Sequence, residues 1–597
     1  MSIRGNAGRR VIAIAAVLAC TVAFGVRLFD VQVVNAAKLN QDAADKRAVP
    51  VVIPSLRGDI VDRNGEILAT TDERYDVQLS PKNTRLNDGI FYRAIESDSG
   101  NEWEKVTAQQ AFAEIGEITG QSERRIQKIV DDALELDPKS DFAYVKRSVD
   151  LVALNKLKAL HIPWLTFESN HQRSYPNGAV AGNIIGFSGS EGLPFAGVEL
   201  SQDQCLTGVD GVESYERGAD GIALPGSMVV TQKAENGGTV ELTIDRDLQW
   251  QAQQIVNRQV DAVKAEYGLI TIMDAKTGEL VAVAEDGSVD PGDVDASDPT
   301  KREARSFVAP YEPGSTFKTI TAAAVIDQGK ATPTTVVSVP SSWQPESGVA
   351  FNDSFVHPEE QWTLTGIMSH SSNVGISKLG VQLSAETRYD YLRDFGIGES
   401  TQAGMPVEDA GMLYEPEKWD RQTSYTTMFG QGLSSTIVQT AGIYQTLANG
   451  GVRVPPSVVK SCRSADGSET EPEHGAPKRV VSKETAAEMM DVLENVVKQS
   501  WIKDYVSVPG YRVAGKTGTA QQSDGRGGYR PDYVHSFVGV FPADDPQYVI
   551  ASSIGFPAGG DGGIAAMRGF RDAAEATIRT FHVQPSKGRY TKLPTGD

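Results

Sequence analysis

The spacing of apolar residues changes character several times along this chain, and each change predicts a different element. Residues 11–26 form an unbroken run of sixteen uncharged, mostly apolar residues, preceded by Arg4, Arg9 and Arg10. A spanning helix wants about 17 to 25 such residues, a signal-peptide core about 7 to 15. Leu28 and Phe29 extend the apolar surface, and Arg10 and Arg27 sit where they can snorkel. The run therefore predicts an uncleaved anchor with its basic end in the cytoplasm. Two other fates stay open, cleavage at the small-x-small site Ala23-Phe24-Gly25 and lipidation of Cys20 in Val17-Leu18-Ala19-Cys20. All three leave the bulk of the chain outside the cytoplasmic membrane.

From about Pro50 the pattern turns to strands, with Asn64-Gly65 between two apolar-bearing runs predicting a hairpin. Between about Trp103 and Leu160 the period becomes helical. Ala111, Phe112, Ile115 and Ile118 mark one face, Ile126, Ile129, Val130 and Leu134 a second, and Val152, Leu154, Leu157 and Leu160 a third. Glycine-rich strand text returns at 173–187 and runs on through turns at Gly197 and Gly208. After a glycine-rich bridge come a strand at 239–245 and a helix at 248–266, which puts the main domain boundary near residue 235. Beyond it the pattern predicts a hairpin at 269–283, an acidic loop at 286–298 and helices near 367–379, 386–395 and 436–448. An exposed insertion at 462–478, strands near 513–520, 537–540 and 548–554, and a helix at 566–581 follow. The tail beyond Pro585 reads as disordered.

Composition adds bounds. With 597 residues, 40% hydrophobic and 23% charged, the chain should hold two or three domains with sizeable cores. Its 57 basic against 78 acidic residues give a net charge of −21, which argues against nucleic acid or an anionic membrane surface as the main partner. Cys205 and Cys462 are free to pair, but their separation in sequence favours two unpaired thiols. The seven histidines are scattered without HExxH-like spacing, so neither a metal nor another cofactor is expected.

The stretch Tyr311-Glu312-Pro313-Gly314-Ser315-Thr316-Phe317-Lys318 runs from a Pro-Gly turn into a helix of small residues. Positions i and i+3 share a helical face, so the Lys318 amine can sit beside the Ser315 hydroxyl, and a desolvated lysine can act as its base. A Ser-x-x-Lys pattern is weak alone, since about two or three copies arise by chance in a chain this long. The other copies, Ser457 to Lys460 and Ser500 to Lys503, lie in strand-like text and past a helix end. Lys-Thr-Gly occurs twice: at Lys276, where turn geometry explains it, and at Lys516-Thr517-Gly518-Thr519, where glycine sits within a strand and suits close approach of a ligand backbone. Between these lies Ser369-His370-Ser371-Ser372-Asn373. Taken singly, Lys318 reads as a solvated helix lysine, Ser371-Ser372-Asn373 as a helix cap and Thr519 as a strand filler.

In chain order the motifs are Ser-x-x-Lys, Ser-x-Asn and Lys-Thr-Gly-Thr, the set that marks β-lactamases and penicillin-binding proteins. The chain resembles a class B, monofunctional penicillin-binding protein of the septal FtsI type over roughly residues 10–580. Arg57-Gly58-Asp59, Gly197-Val198-Glu199, Leu242-Thr243-Ile244-Asp245 and Gly430-Gln431-Gly432-Leu433 carry the likeness outside the catalytic motifs. The resemblance implies an α/β (α+β) chain in four parts: a tail and transmembrane anchor at 1–34, and an elongated β-rich pedestal of the dimerisation type at 35–235, with a helical head at about 97–165. A transpeptidase domain at 236–582 follows, an antiparallel sheet between helices as in serine β-lactamases, with a disordered tail at 583–597.

The resemblance also implies roles. Ser315 attacks a D-alanyl-D-alanine stem peptide and forms an acyl-enzyme that a neighbouring amine resolves. Lys318 acts as base, which requires its pKa to fall from roughly 10.4 at a cost of about 4 kcal/mol. Ser371 passes the proton on and Asn373 binds the peptide and helps fix Lys318. The N–H groups of Ser315 and Thr519 form the oxyanion hole, while Lys516, Thr517, Gly518 and Thr519 receive the substrate carboxylate. Arg57 and Glu199 are expected as ion pairs fixing pedestal to catalytic domain. The implied partners are peptidoglycan strands derived from lipid II, β-lactams as inhibitors, a membrane-embedded lipid II polymerase and other division proteins. Elongation duty, a D,D-carboxypeptidase, a β-lactamase and a non-catalytic scaffold are the rival readings.

Overall fold

The apolar N-terminal run forms one α-helix, Gly5–Phe29, in the computed structural model, which describes residues 5–39, 48–97, 100–189, 192–216, 227–346, 348–526 and 528–596. Arg4, part of the glycine-rich bridge ahead of Thr239, two positions at the start of the expected helical head and Asp597 lie outside the described residues. From Gly8 to Val34 the helix is long and apolar enough to cross a membrane, with a mean hydropathy of 2.3. At about 1.5 Å per residue it exceeds the roughly 30 Å of a hydrocarbon core.

The rest of the chain divides into two compact units that alternate in sequence rather than changing over once near residue 235. One comprises Met1–Leu56, Glu73–His171 and Gly208–Asn236; the other comprises Arg57–Asp72, Gln172–Thr207 and Gly237–Asp597. The cause is a six-stranded sheet built from distant segments: Glu469–Thr470, Val459–Arg463, Thr239–Leu242, Ile60–Val61, Ile67–Asp72 and Gln172–Ser174. Its parallel pairing of Val240 with Ile60 is non-local, and local spacing carries no sign of it.

In the first unit the central strand Tyr75–Leu79 lies between Ala143–Val149 and Leu165–Ser169. Helices Ala108–Thr119 and Glu123–Leu136 supply the first two predicted apolar faces; in Leu151–Lys158 only Leu154 and Leu157 of the third are buried, Val152 faces outward and Leu160 lies past the helix end. Phe112, Ile115, Ile126, Val130 and Leu157 pack with Val77, Leu79 and Trp164. Thr107 and Gln110 form a capping box at the first of these helices, and Gly120 ends it in the left-handed conformation. The head thus opens with a hairpin, Ile90–Ser97 against Gly100–Thr107, which takes Trp103 out of the helical stretch.

The second unit holds the catalytic motifs. Its helices include α1 (Arg246–Val263), α2 (Lys318–Asp327), α3 (Leu364–His370), α4 (Asn373–Gly380), α5 (Ile437–Ala448), α6 (Lys483–Lys498) and α7 (Gly562–Phe581), along with others such as Ala385–Asp394. Its main strands are β1 (Tyr267–Asp274), β2 (Leu280–Glu285), β3 (Ala514–Ser523), β4 (Tyr529–Phe541) and β5 (Tyr548–Gly555), which form an antiparallel sheet in the order β2-β1-β5-β4-β3. Helices α1 and α7 pack on this sheet, as do α5 and α6. β2 and β5 are buried along their whole length, so their sequences lack the apolar–polar alternation of a half-exposed strand, and Glu285, Ser552 and Ser553 are buried with them. β3 is an edge strand, so one side of its backbone is left for other partners.

Three expectations need correction. The helical stretch near 367–379 is two helices, broken at Ser371, whose φ of +58° is left-handed. Cys205 and Cys462 form a disulfide with a Cα–Cα distance of 6.2 Å. The sheet brings them together: Cys462 pairs with Val240, and Gly238 N donates to the Cys205 carbonyl at 2.8 Å, so a separation of 257 residues says nothing of distance in space. The tail is ordered through Gly596. Asn495 of α6 and its C-cap Gln499 donate to the carbonyls of Thr591 and Leu593, each at 2.8 Å, and Thr363 N donates to Thr595 O. Side-chain amides satisfy this backbone while Leu593 packs against the core.

Candidate active site

The Pro-Gly turn before α2 puts Gly314 at φ +59°, a conformation that glycine adopts without strain. Space enforces the same choice, because a Cβ there would lie 2.7 Å from the Thr519 carbonyl oxygen. Gly314–Phe317 form a tight helical turn leading into α2, and Ser315 and Lys318 project together: Lys318 Nζ lies 2.9 Å from Ser315 Oγ. The Thr316 carbonyl accepts from Tyr444 OH at 3.0 Å, which ties the turn to α5.

The break at Ser371 is the second component. Its reversed backbone turns the Ser371 carbonyl onto Lys318 Nζ, while its Oγ lies 3.3 Å from the same amine and 2.9 Å from Lys516 Nζ. The third is edge strand β3. Lys516 comes from it and also reaches the Thr517 carbonyl at 3.2 Å, and Gly518 fits against the helix start, where a Cβ would sit 2.7 Å from the Pro313 carbonyl oxygen. Helix start and strand are also joined by a backbone-like pair of bonds: Glu312 N donates to Gln522 Oε1 at 2.8 Å, and Gln522 Nε2 donates to the Glu312 carbonyl at 3.1 Å.

Both lysines are enclosed. Lys318 is 0% exposed and Lys516 1%. Burial is the main cause that holds the Lys318 amine well below the usual lysine range; the Lys516 charge lowers it further and Asp353 opposes the shift. Burial alone brings Lys516 to about 7. The arrangement sets an amine that burial disposes to lose its proton against a hydroxyl, beside a second amine that carries a proton for part of the time near neutral pH. Burial likewise raises Glu312, three residues before Ser315, to about 7.

Ser315, Ser371, Asn373, Lys516, Thr517 and Thr519 all line one cavity of about 400 Å³. Lys318 lies beneath it, and Gly518 packs behind against Pro313 and Ser536. Asn373 donates to the Asn352 carbonyl at 3.0 Å, a partner the sequence motif did not suggest, whereas Lys318 is held by Ser315 and Ser371. Phe355, Tyr533, Ser500 and Trp501 also line it; no local pattern marked Phe355 or Tyr533, and Ser500 and Trp501 belong to another Ser-x-x-Lys copy. Arg57 and Glu199 do form an ion pair, but within the second unit, rather than as the expected tie between pedestal and catalytic domain. Glu199, fully buried, accepts from Arg57 Nε and Arg173 Nε, each at 2.7 Å, and Arg57 reaches Asp203 at 2.6 Å.

Two family models match: the penicillin-binding protein transpeptidase domain over residues 268–575 and the penicillin-binding protein dimerisation domain over 52–192. The chain is 36% identical to penicillin-binding protein PbpB of Mycolicibacterium smegmatis, covering 95% of this chain and 89% of that protein. To peptidoglycan D,D-transpeptidase FtsI of Escherichia coli it is 27% identical, over 91% of this chain and 86% of that one. The crystal structure of penicillin-binding protein 3 from Mycobacterium tuberculosis complexed with ampicillin superposes with a TM-score of 0.68 at 30% identity, covering 92% of this chain and all of that one. With a serine, two buried lysines and a glycine-bearing edge strand meeting in one cleft, and with both domain models matched, the chain belongs to the class B penicillin-binding proteins, which join a dimerisation domain to a serine transpeptidase domain.

Proposed function

We propose that this peptidoglycan D,D-transpeptidase acylates itself at Ser315 and cross-links stem peptides in septal wall synthesis. The observation that carries the residue roles is the buried pair, an enclosed amine of lowered pKa 2.9 Å from a hydroxyl that opens on the cavity. Neutral Lys318 takes the Ser315 proton as Oγ attacks the penultimate D-alanine carbonyl. The C–N bond to the terminal D-alanine breaks, and the leaving nitrogen takes a proton relayed through Ser371, whose hydroxyl sits between the two lysines. An acceptor amine then attacks the ester, forms the new peptide bond and returns a proton to Ser315. The backbone N–H groups of Ser315 and Thr519 hold the oxyanion, a device in which one lost donor typically costs about 3 to 4 kcal/mol. Asn373 orients the peptide, and Lys516, Thr517 and Thr519 take its carboxylate. A β-lactam, carrying the same carboxylate and a reactive amide, acylates the same serine.

The apolar N-terminal helix and its basic flank at Arg9 and Arg10 support a single-pass anchor with the N-terminus in the cytoplasm. The Cys205–Cys462 disulfide supports an oxidising, extracytoplasmic setting for the bulk of the chain. Likeness to FtsI along nearly the whole chain supports the septal assignment, with a membrane-embedded lipid II polymerase and other division proteins as partners. The test is the full-length protein with lipid II-derived strands and an acceptor. Cross-linked product is expected, and Ser315→Ala abolishes it. Release of D-alanine without cross-links would make the chain a carboxypeptidase, and penicillin turnover within seconds a β-lactamase. Depletion in cells should give filaments, whereas rounded cells would place it in elongation.

A further inference from the structure

Ser371 presents both its carbonyl and its hydroxyl to Lys318 only because its backbone is left-handed, a conformation that costs a non-glycine residue of order 1–3 kcal/mol and persists where surroundings impose it. On one side the turn is closed by backbone bonds at the end of α3, with Ser372 N donating to the Ile367 carbonyl at 2.9 Å and Ser371 N to the Met368 carbonyl at 3.3 Å. On the other side, towards α4, a second element grips it from outside.

That element is the end of the Val349–Asn352 strand. The Asn352 carbonyl accepts from Asn373 Nδ2 at 3.0 Å. The next residue, Asp353, reaches behind the turn with a side chain that is 1% exposed. One carboxylate oxygen accepts from Val374 N at 3.0 Å, the other from the Ser372 hydroxyl at 2.7 Å, so the carboxylate grips the chain on both sides of Asn373. Ser372 is fully buried and already accepts from Gly375 N as the cap of α4 at 2.8 Å. Its own proton then needs a buried acceptor, and Asp353 is the one it has; the cap alone would leave that donor unsatisfied. Asp353 is steadied in turn by Asp353 N donating to the Ser341 carbonyl at 2.9 Å and by His357 Nε2 at 3.0 Å.

We propose that Asp353 is a positioning residue for acylation: its buried carboxylate clamps Ser372 and Val374 and thereby holds Ser371 in the reversed conformation that meets Lys318. The inference rests on the transpeptidase reading above. Asp353 touches neither substrate nor Ser315 and acts through the turn. Its negative charge also opposes the lowering of the Lys318 pKa, so the carboxylate tunes the base as well as placing its neighbour.

The test is the kinetics of acylation of the full-length protein by a fluorescent penicillin, resolved into a binding constant and a saturating acylation rate. In Asp353→Asn one acceptor oxygen becomes a donor while shape is kept. The saturating rate should fall about 10- to 100-fold, the scale of misplacement by about 1 Å, with the binding constant within about threefold. Ser372→Ala removes the other end of the bond and should slow the same step, and in the double variant the two losses should not multiply. Should Asp353→Asn fail to fold, Ser372→Ala alone carries the test. An acylation rate within about twofold of the parent in a folded variant, or losses that multiply fully, overturns the proposal. A parent chain that does not label at all would instead overturn the transpeptidase reading.

Discussion

The tripeptide Lys-Thr-Gly occurs twice in the second unit and does different work at each place. At Lys276-Thr277-Gly278 it closes the β1–β2 hairpin: Asp274 accepts from the backbone N–H groups of Lys276 and Thr277 at 2.8 and 2.9 Å, and Gly278 takes a φ of +76°. Lys276 and Thr277 are exposed there. At Lys516-Thr517-Gly518 the same residues lie along an edge strand, the lysine is buried beside Ser371, and glycine is required by the approach of the Pro313 carbonyl rather than by its own dihedral angles. The first glycine is needed for its own dihedral angle as well as for the Pro455 carbonyl, which a Cβ would meet at 2.7 Å, whereas the second is needed for its neighbours alone. The Ser-x-x-Lys copies divide in the same way. Ser457 precedes the strand Val459–Arg463 and Lys460 lies within it, turned out to an ion pair with Glu241, whereas Ser315 and Lys318 converge because the turn between them is helical. Identity of sequence is thus not identity of site; burial and the element carrying the residues decide.

The largest effect that could break this comparison is the loss of each lysine. Lys516→Ala should lower penicillin acylation by about 10²- to 10³-fold, the scale of one lost charge-stabilising donor. Lys276→Ala should leave it within about twofold, so equal losses in the two variants would remove the distinction. The pH dependence sharpens the same contrast. Lys516 titrates at about 7 and must be protonated to hold a carboxylate, so acylation should decline as pH rises from 7 to about 9. In Lys516→Arg the guanidinium stays charged throughout this range, so the alkaline decline should vanish even if the rate is lower, while the acid limb set by Lys318 remains. An unchanged alkaline limb would show that another group controls it. The smallest effect is that of the glycines. Gly278→Ala combines a left-handed φ with a Cβ 2.7 Å from the Pro455 carbonyl and should cost about 1 to 3 kcal/mol of stability, read as a lower Tm with unchanged acylation, whereas Gly518→Ala should slow acylation because the strand or the Ser315 turn must shift. A Gly518→Ala protein with parental acylation would contradict the packing account.

Much of this was legible before any coordinates, for stated physical reasons. The hydrophobic periods found the helices of the first unit, and the absence of alternation in β2 and β5 follows from burial on both faces. The order of three short motifs brought Ser315, Lys318, Ser371, Asn373, Lys516 and Thr519 together, and one cavity or its floor contains all six. What escaped was non-local. The pairing of Ile60 with Val240, the Cys205–Cys462 bond and the grip of α6 on the tail each join residues hundreds of positions apart or rest on side-chain amides with no periodic signature. Asp353 escaped for the same reason: in sequence it is one acid in the turn Asn352-Asp353-Ser354, and its role exists only once Ser372 lies 2.7 Å away.

The central claim is that Ser315, among three serines in the same four-residue pattern, is the nucleophile. The most direct measurement is mass spectrometry of the penicillin-treated protein after proteolysis. A single adduct on the peptide carrying Ser315, absent in Ser315→Ala, is the predicted result. An adduct on the Ser457 or Ser500 peptide, or one that persists in Ser315→Ala, would contradict it.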